Sequence, residues 1–326
     1  MKPFDCRNTR KSVLVLLLAL IMTLSVCGAA FASGETWDAS PEPPTDDLTA
    51  VADAHSLHLE GVPNAWQLGG YVTEDGKKVR DNVLMRSGNL RDATEEDIQM
   101  LSEDYHVTTI VDFRDPGEIE MKPDQEVPGA ENINISLADS EMGGFEEFLA
   151  MLAAASAEAS NESGSSGEAS VRPVIGGAQP DMYTRMFVKE STLNGFREFI
   201  DLLLEQDEDS VILYHCSSGK DRTGTATLIL LTLLGVDKDT ILADFALTNV
   251  FMADEIESAV AAAREKTDDE EELALVAADT GVSVEYMELA FDQAEEECGN
   301  MLDYVKQQFH VTDEEIARLR ELYLMD

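Results

Sequence analysis

The stretch VILYHCSSGKDRTGTATLILLTLLG occupies residues 211–235 and decides the expected fold. Its apolar start at residues 211–214 predicts a buried strand, residues 215–224 form a polar loop, and the apolar run over residues 225–234 predicts a helix that ends at Gly235. The loop then lies between the carboxyl end of a strand and the amino end of a helix. Unpaired N–H groups and the helix dipole favour an anion at such a position.

Two side chains of this loop have the chemistry and spacing of a nucleophile and its anion clamp. Cys216 and Arg222 are separated by five residues, so both can face one anion held by the N–H groups between them. A thiol in such a positive field loses its proton readily and becomes a nucleophile. The alternative is a buried cysteine that only packs, with an arginine nearby by chance.

The loop carries further residues in a characteristic order: His215, Cys216, five intervening residues, and then Arg222, Thr223 and Gly224. This order resembles the phosphate-binding loop of the cysteine-dependent tyrosine phosphatases. The intervening GKD at residues 219–221 is similar to a bacterial branch of that family, which also accepts phosphoserine, phosphothreonine or phosphoinositides. The resemblance implies an α/β fold: a single tyrosine-phosphatase-like domain with a central, mostly parallel sheet flanked by helices and with extra C-terminal helices.

The resemblance also implies roles for the residues of the loop. Cys216 attacks phosphorus, Arg222 clamps two equatorial phosphate oxygens, and His215 supports the loop by hydrogen bonds. Thr223 donates to the sulfur when the sulfur becomes the leaving group. The expected phosphate-binding residues are those of the loop and one arginine outside it: Ser217, Ser218, Gly219, Lys220, Thr223, Gly224 and Arg86. Lys220 is further expected to bind a second phosphate or an acidic flank of the substrate.

Arg86 is included because its surroundings also resemble the family. Residues 79–85 alternate like a strand and lead into the sequence RSG at residues 86–88. A guanidinium at the end of that strand is expected to line the phosphate cleft, where its fork of donors suits an oxyanion. A solvated surface charge is the alternative.

Two acidic residues are candidates for the proton donor to the departing alcohol. Asp221 lies in the loop itself, and Asp112 follows residues 107–111, a β-branched run that predicts a buried parallel strand. A Pro-Gly turn follows, so Asp112 and Arg114 are expected at the carboxyl end of that strand, where open α/β sheets carry their sites. The resemblance includes an Asp-x-Arg at this point and favours Asp221 as the acid. Arg114 is expected to support the same pocket.

The composition excludes several classes of partner. The 326 residues include 23 Lys and Arg against 65 Asp and Glu, which gives a formal net charge of −42. A chain this acidic is a poor partner for nucleic acid or for broad adhesion to anionic membranes. Phosphate must then bind in a local pocket whose field is set by backbone dipoles and one or two cations. No metal and no other cofactor is expected, because N–H groups and arginine take that role.

Residues 1–32 are predicted to be a secretory signal peptide. Basic residues precede an apolar core at residues 13–26, which is shorter than the ~20 residues that a membrane-spanning helix needs. The sequence AFA at residues 30–32 then forms a cleavage site. The mature protein is expected to be secreted and to have no stable membrane span, and a lipid anchor at Cys27 is the alternative.

The remaining chain is predicted to hold a linker and one domain. Residues 33–54 are rich in Ser, Pro and acidic residues and predict a flexible linker, so that the domain covers residues 55–326. Residues 153–170 contain only Ala, Ser, Glu, Gly and Asn, which predicts a low-complexity insert. Capping patterns predict helix starts at Thr94 and Thr312, and apolar spacing predicts a helix over residues 195–206.

These observations predict a phosphatase that forms a phosphocysteine intermediate. The expected partner is a phosphorylated substrate: phosphotyrosine in proteins first, then phosphoserine, phosphothreonine or a phosphoinositide. Three alternatives stay open: a phosphoinositide or inositol-phosphate phosphatase, a module that binds phosphate groups without turnover, and a sulfurtransferase with a persulfide on Cys216. The residues at 220–223, KDRT, argue against the sulfurtransferase.

Overall fold

The structure is a computed structural model that describes residues 46–137 and 182–326. The first of these segments contains α1 (Asp46–His55), β1 (Trp66–Gln67), β2 (Lys78–Val79), β3 (Leu84–Ser87), α2 (Glu95–Gln99), a π-helix (Met100–Asp104), β4 (Thr109–Asp112), α3 (Pro116–Met121) and β5 (Glu131–Asn134). The second contains α4 (Met182–Met186), α5 (Glu190–Glu205), β6 (Ile212–His215), α6 (Asp221–Leu234), α7 (Lys238–Phe251), α8 (Ala253–Arg264), α9 (Glu270–Thr280), α10 (Val284–Cys298), α11 (Met301–Phe309), α12 (Asp313–Tyr323) and β7 (Leu324–Met325).

The predicted mostly parallel sheet is confirmed, and β6 lies at its centre. The strand order is β1-β3-β6-β4-β5, in which β1 alone runs antiparallel to its neighbour. Strands β2 and β7 form a separate antiparallel pair. His215 is the cross-strand partner of both Ser87 and Asp112, the last residues of β3 and β4. The segments that follow these three strands therefore meet at one edge of the sheet.

The central strands are buried on both faces of the sheet. In β6, Ile212 and Tyr214 join the larger hydrophobic cluster, which the C-terminal helices cover, whereas Leu213 joins the smaller cluster on the other face. This division follows from the alternation of side chains along a strand. Burial on both sides explains why residues 211–214 form a continuous apolar run.

The helix after the loop is buried almost all round, as its sequence predicts. From Thr223 to Leu234 every residue of α6 is buried, which is typical of a helix in the centre of a domain. It ends at Gly235, whose φ of +86° is a left-handed conformation that favours glycine. The N–H of Gly235 donates to the carbonyl groups of Leu231 and Thr232, which closes the last turn.

Two predicted helix starts are confirmed by their capping hydrogen bonds. The hydroxyl groups of Thr94 and Thr312 accept from the N–H groups of Asp97 at 3.1 Å and Glu315 at 3.2 Å. Both are capping boxes, because the acidic side chain also accepts from the cap N–H. The helix predicted over residues 195–206 begins earlier, at Glu190.

The described fold begins earlier than the sequence predicts. Residues 33–54 have the composition of a flexible linker, yet α1 starts at Asp46 and its Ala52 is buried in the larger cluster. The linker prediction is therefore wrong for residues 46–54. The helix has a narrow apolar side that is hard to recognise in sequence, and packing against α7 covers it.

Two predicted features, the signal peptide at residues 1–32 and the insert at residues 153–170, lie outside the described residues. Among the helices of the described segments, none combines the length and the apolar character needed to cross a bilayer.

Candidate active site

The loop between β6 and α6 holds the candidate nucleophile at its base. Residues 216–220 connect the two elements, and Cys216 is only 3 % exposed. The preceding His215 is fully buried, and its Nδ1 donates to the carbonyl oxygen of Cys216 at 3.2 Å. The sulfur therefore lies where the strand ends, close to the positive end of the α6 dipole.

The carbonyl groups of the loop are tied to side chains outside it. Three hydrogen bonds do this: Asn89 Nδ2 to the carbonyl of Ser217 (2.6 Å), Asn64 Nδ2 to that of Ser218 (3.0 Å), and Arg86 Nη2 to that of Gly219 (2.8 Å). In a trans peptide the C=O and the following N–H point in opposite directions. The N–H groups of residues 218–220 therefore face away from these side chains. Across the described segments, no protein acceptor takes an N–H of residues 217–222.

Gly219 allows the loop to pass close to β3. Its φ is +72°, and a Cβ at this position would lie 2.5 Å from backbone atoms of Ser87 and Gly88. Any larger residue would push the loop off the strand that supports it. The glycine thus allows the loop to turn tightly against the end of β3.

Arg222 is held across the loop by Glu118 of α3. Its Nη1 donates to Oε2 at 2.6 Å and its Nη2 to Oε1 at 2.8 Å, which is a bidentate ion pair. The hydroxyl of Ser217 donates to Oε1 of the same carboxylate at 2.5 Å. Because Glu118 takes the edge formed by the two terminal nitrogens, the edge that includes Nε is left for an anion.

The pKa values of Glu118 and Arg222 are shifted by burial and by the attraction between the two groups. Burial alone would raise the pKa of Glu118, but the hydrogen bonds and charge of Arg222 lower it to about 2. Burial acts to lower the pKa of Arg222, and the hydrogen bond and charge of Glu118 raise it above the ordinary value. Both groups are therefore ionised at neutral pH.

Replacing Glu118 by glutamine should lower the free energy of unfolding at neutral pH. The folded pKa of about 2 lies below the ordinary value of 4.5, so the carboxylate stabilises the fold above pH 4.5. This contribution is lost as the pH falls from about 4.5 to about 2, so the difference from wild type should be smaller at pH 3 than at pH 7. Urea unfolding at the two pH values measures both differences.

A matched control for this substitution is Glu270→Gln. Glu270 also pairs with an arginine, Arg264, but both side chains are exposed and the pair should contribute little at either pH. If Glu118→Gln lowered the free energy of unfolding equally at pH 7 and pH 3, the loss would not be caused by the ion pair with Arg222.

Arg86 lies behind the loop and is fully buried, which differs from its expected place in the phosphate cleft. Its Nη1 donates to Asp244 at 2.7 Å and to Thr227 at 3.1 Å, while Nη2 holds the carbonyl of Gly219. The guanidinium also stacks over the ring of Trp66 at 4.1 Å. The buried carboxylate of Asp244 fixes the arginine there, so Arg86 positions the loop from behind.

Lys220 also differs from its expected contact with a second phosphate. Its ammonium donates to carbonyl groups at the end of α9: those of Asp279, of Thr280 (3.4 Å) and of Gly281 (3.0 Å). The last carbonyl groups of a helix lack partners within the helix and attract cations. Lys220 thereby joins the loop to α9.

Asp112 and Arg114 bond each other at the carboxyl end of β4. The Nε, Nη2 and backbone N–H groups of Arg114 all donate to the Asp112 carboxylate, at 2.7 to 3.0 Å. Burial acts to lower the pKa of Arg114, and its hydrogen bonds and attraction to Asp112 raise it overall. Both residues lie at the carboxyl end of the strand, as expected, and their hydrogen bonds are made largely to each other.

A second carboxylate, Asp124, completes this cluster. It accepts a hydrogen bond from Arg114 Nη2, and its Oδ2 lies 3.5 Å from Nε2 of His215 without the geometry of a hydrogen bond. Burial raises the pKa of Asp124, although the charges of His215 and Arg114 lower it. Asp112, Asp124 and His215 are the one group of the described residues with ligand atoms close enough for a metal, within 4.8 Å. Arg114 already supplies a cation that bonds both carboxylates.

Asp221, the first residue of α6, accepts a hydrogen bond from a buried tyrosine. The hydroxyl of Tyr183 donates to Oδ1 of Asp221 at 2.7 Å. Thr223, two residues further along the same helix, is buried, and its hydroxyl has no hydrogen-bond partner among the described atoms. Gly224 follows, and a Cβ there would lie 3.0 Å from the ring of Phe245. The loop and the start of α6 thus bring Cys216 together with these groups.

Several residues that contact the loop, or that hold Arg86 behind it, were not selected from the sequence: Glu118, Tyr183, Asn64, Asn89 and Asp244. Glu118 could have been found, because it belongs to the DFRDPGE segment that the sequence already marks as part of the site. The two asparagines carry no local signal, since a polar residue in a loop is ordinary. Tyr183 and Asp244 lie in helical segments and have no pattern that separates them from core residues.

A loop with unpaired N–H groups at the carboxyl end of a central parallel strand, crossed by an arginine, is typical of α/β enzymes that handle phosphate groups. The family follows from the sequence as a whole. A model described as the tyrosine phosphatase family matches residues 57–325, and the chain belongs to that family. The predicted class of enzyme is thereby confirmed: the protein is a tyrosine-phosphatase-type hydrolase of phosphoric monoesters.

Two relatives give the range of similarity. A protein of Cupriavidus necator that carries the provisional name tyrosine-protein phosphatase is 28% identical over 209 residues, which cover 64% of this chain and 68% of the relative. The triple specificity protein phosphatase PtpB of Mycobacterium tuberculosis is 24% identical over 208 residues, which cover 59% of this chain and 70% of the relative.

Proposed function

We propose that this enzyme hydrolyses phosphotyrosine through a phosphocysteine intermediate. One observation carries the proposal: the N–H groups of residues 217–222, which directly follow Cys216 in the loop, have no acceptor in the described segments. Unpaired donors at the start of a helix suit the three equatorial oxygens of a phosphoryl group in transfer. The free edge of Arg222 supplies the charge that the N–H groups lack.

In the first step the Cys216 thiolate attacks phosphorus in line with the departing phenol. A P–S bond forms as the P–O bond breaks, and the leaving oxygen takes a proton from an acid of the site. The N–H groups and Arg222 hold the equatorial oxygens and stabilise the charge that they gain in the transition state. Glu118 keeps Arg222 in place for this contact.

In the second step water attacks phosphorus and gives a proton to the same acidic residue, now a carboxylate. The P–S bond breaks, and inorganic phosphate and the thiolate are released. The Thr223 hydroxyl is buried and without a partner among the described atoms, which supports a role as a donor to the departing sulfur. No metal enters either step.

Asp221 is proposed as the acid and then the base. Its carboxylate accepts one hydrogen bond from a neutral phenol, whereas that of Asp112 is taken up by a guanidinium. A carboxyl group that must hold and release a proton works poorly inside an ion pair, because the positive charge favours its ionised form.

The Asp221→Asn variant should lower kcat for phosphotyrosine by about 10²-fold, since general acid catalysis contributes at least about that much. The Asp112→Asn variant is the matched comparison and should mainly lower the free energy of unfolding, because it breaks a buried pair with Arg114. Steady-state rates and urea unfolding of both variants separate the two roles. If Asp112→Asn lowered kcat more than Asp221→Asn, Asp112 would be the general acid.

The substrate class is proposed from the pocket and from a relative. The M. tuberculosis relative is named for triple specificity, and activity beyond phosphotyrosine is therefore proposed as secondary here. Lys220, the residue expected to bind a second phosphate, is engaged by the end of α9, which favours substrates with one phosphate group.

A substrate panel assayed with EDTA tests the function. Phosphate release is expected from p-nitrophenyl phosphate and from a phosphotyrosine peptide, with lower rates for phosphoserine peptides and phosphoinositides. Activity that EDTA abolishes, or binding of phosphotyrosine without any release of phosphate, would overturn the proposal. A phosphoinositide rate above the phosphotyrosine rate would reverse the proposed order of substrates.

The site of action is proposed to be outside the cell. The support is the signal peptide predicted at residues 1–32, where cleavage after the AFA at residues 30–32 would leave Ser33 as the first residue of the mature protein. Mass spectrometry of the N-terminus of protein expressed in a bacterium decides this. A chain that begins with lipid-modified Cys27 would establish the lipid anchor, and an intact Met1 would contradict export.

A further inference from the structure

Tyr183 is a buried residue beside the loop that the mechanism so far leaves unused. Its side chain is 0 % exposed, and its ring packs edge-on against Phe245 with centroids 5.4 Å apart. Its hydroxyl lies 2.7 Å from Oδ1 of Asp221, the residue proposed as the acid. This is the one partner of that hydroxyl among the described residues. The phenol is thus anchored by its ring and aimed at one oxygen of Asp221.

The hydroxyl of Tyr183 must act as the donor in this contact. Burial raises the pKa of Tyr183, and the charge and hydrogen bond of Asp221 raise it further, so the phenol stays protonated. A buried O–H without an acceptor would be unfavourable, and Oδ1 of Asp221 is the acceptor within reach. When Asp221 is protonated, its own proton therefore belongs on the other oxygen, Oδ2.

We infer that Tyr183 is a positioning residue for proton transfer: by bonding Oδ1 of Asp221, it fixes the rotation of the carboxyl group and leaves Oδ2 to exchange the proton with the substrate. The inference rests on the proposed function, since it assigns a partner to the acid of that reaction. Tyr183 touches neither phosphorus nor the leaving oxygen in this role.

The hydrogen bond fits both steps of the reaction. In the first step the proton moves from Oδ2 to the leaving oxygen, and the new carboxylate is stabilised by the phenol. In the second step Oδ2 accepts a proton from the attacking water, while the bond from Tyr183 to Oδ1 persists. After one turnover Asp221 is again protonated and Cys216 is again a thiolate, and Tyr183 stays neutral throughout.

The test uses Tyr183→Phe and a series of aryl phosphates with phenols of different acidity. The kcat/KM value reports the first step, in which a poor leaving group depends most on the proton from Asp221. We expect kcat/KM to fall by about tenfold for phenyl phosphate and phosphotyrosine, and by less than about twofold for p-nitrophenyl phosphate. The plot of log kcat/KM against the pKa of the leaving phenol should become steeper.

Two controls separate positioning from a structural effect. Tyr323→Phe removes another buried tyrosine hydroxyl, which donates to the carbonyl of Leu203 at 2.8 Å, and should leave the slope unchanged. In an Asp221→Asn background, Tyr183→Phe should cause no further loss, because both changes act on one proton transfer.

The possible results separate the role of Tyr183 from the phosphatase function. An unchanged slope in Tyr183→Phe, or an equal loss for every leaving group, would overturn the role of Tyr183 while the phosphatase function stands. Additive losses in the Asp221→Asn background would also overturn it. Failure of the wild-type protein to release phosphate from any aryl phosphate would instead overturn the proposed function itself.

Discussion

The Cys216→Ser variant is expected to lose turnover by at least about 10⁵-fold, since removal of a catalytic nucleophile leaves only the binding contribution. A serine hydroxyl is far less acidic than a thiol and cannot form the phosphocysteine. The side chain is 3 % exposed and similar in size, so the fold should persist. The loop N–H groups and Arg222 are untouched, and the variant should still bind a phosphotyrosine peptide. Single-turnover assays and isothermal titration with that peptide measure the two effects.

The natural control is the other cysteine of the described segments. Cys298 ends α10 and is only partly buried, and Cys298→Ser should leave turnover unchanged. Iodoacetamide should alkylate Cys216 in preference to Cys298, and phosphate or vanadate should protect it. Substantial turnover in Cys216→Ser would assign the chemistry to a different nucleophile.

The Arg222→Lys variant should lose about 10³-fold in kcat/KM, because loss of even one donor to developing charge costs about 10²–10³-fold. Lysine keeps the positive charge and can still pair with Glu118, but it has no planar fork with which to hold a carboxylate and a phosphoryl group together. The loss should therefore appear in kcat as well as in KM, since the contact is strongest in the transition state.

Arg197→Lys is the matched control for this change. Arg197 also bonds two carboxylates, Asp201 and Glu315, but it lies on α5 away from the loop. Its replacement should leave kcat/KM within about twofold of wild type, as for most surface changes. If Arg222→Lys also stayed within that range, Arg222 would bind Glu118 without contacting the substrate.

The local part of the site was predictable because it is encoded in consecutive residues. The apolar strand, the loop with Gly219 and the helix that ends at Gly235 each follow from a short pattern. The spacing of Cys216 and Arg222 needs no tertiary contact to be recognised. Capping at Thr94 and Thr312 was predictable for the same reason.

The surroundings of the loop were less predictable because they depend on distant parts of the chain. The sequence around Arg86 predicted a phosphate ligand. In the structure Arg86 instead bonds the buried carboxylate of Asp244, which is 158 residues away in sequence and holds it behind the loop. Lys220 is directed by the end of α9, some 60 residues further on. A buried charged side chain is stable only when it is paired with a suitable partner. Sequence alone does not show which distant residue lies close enough to be that partner.

The sequence by itself determined that a thiol and a guanidinium share one turn between a buried strand and a buried helix. It could do so because hydrogen-bond direction and side-chain alternation are fixed within a few residues. Only the tertiary structure decided which distant partners the polar groups of this turn take: Glu118 beside Arg222, and Tyr183 beside Asp221. Both pairs join segments that meet only when the sheet and its helices assemble, and a polar group in a buried site is stable only when it has such a partner.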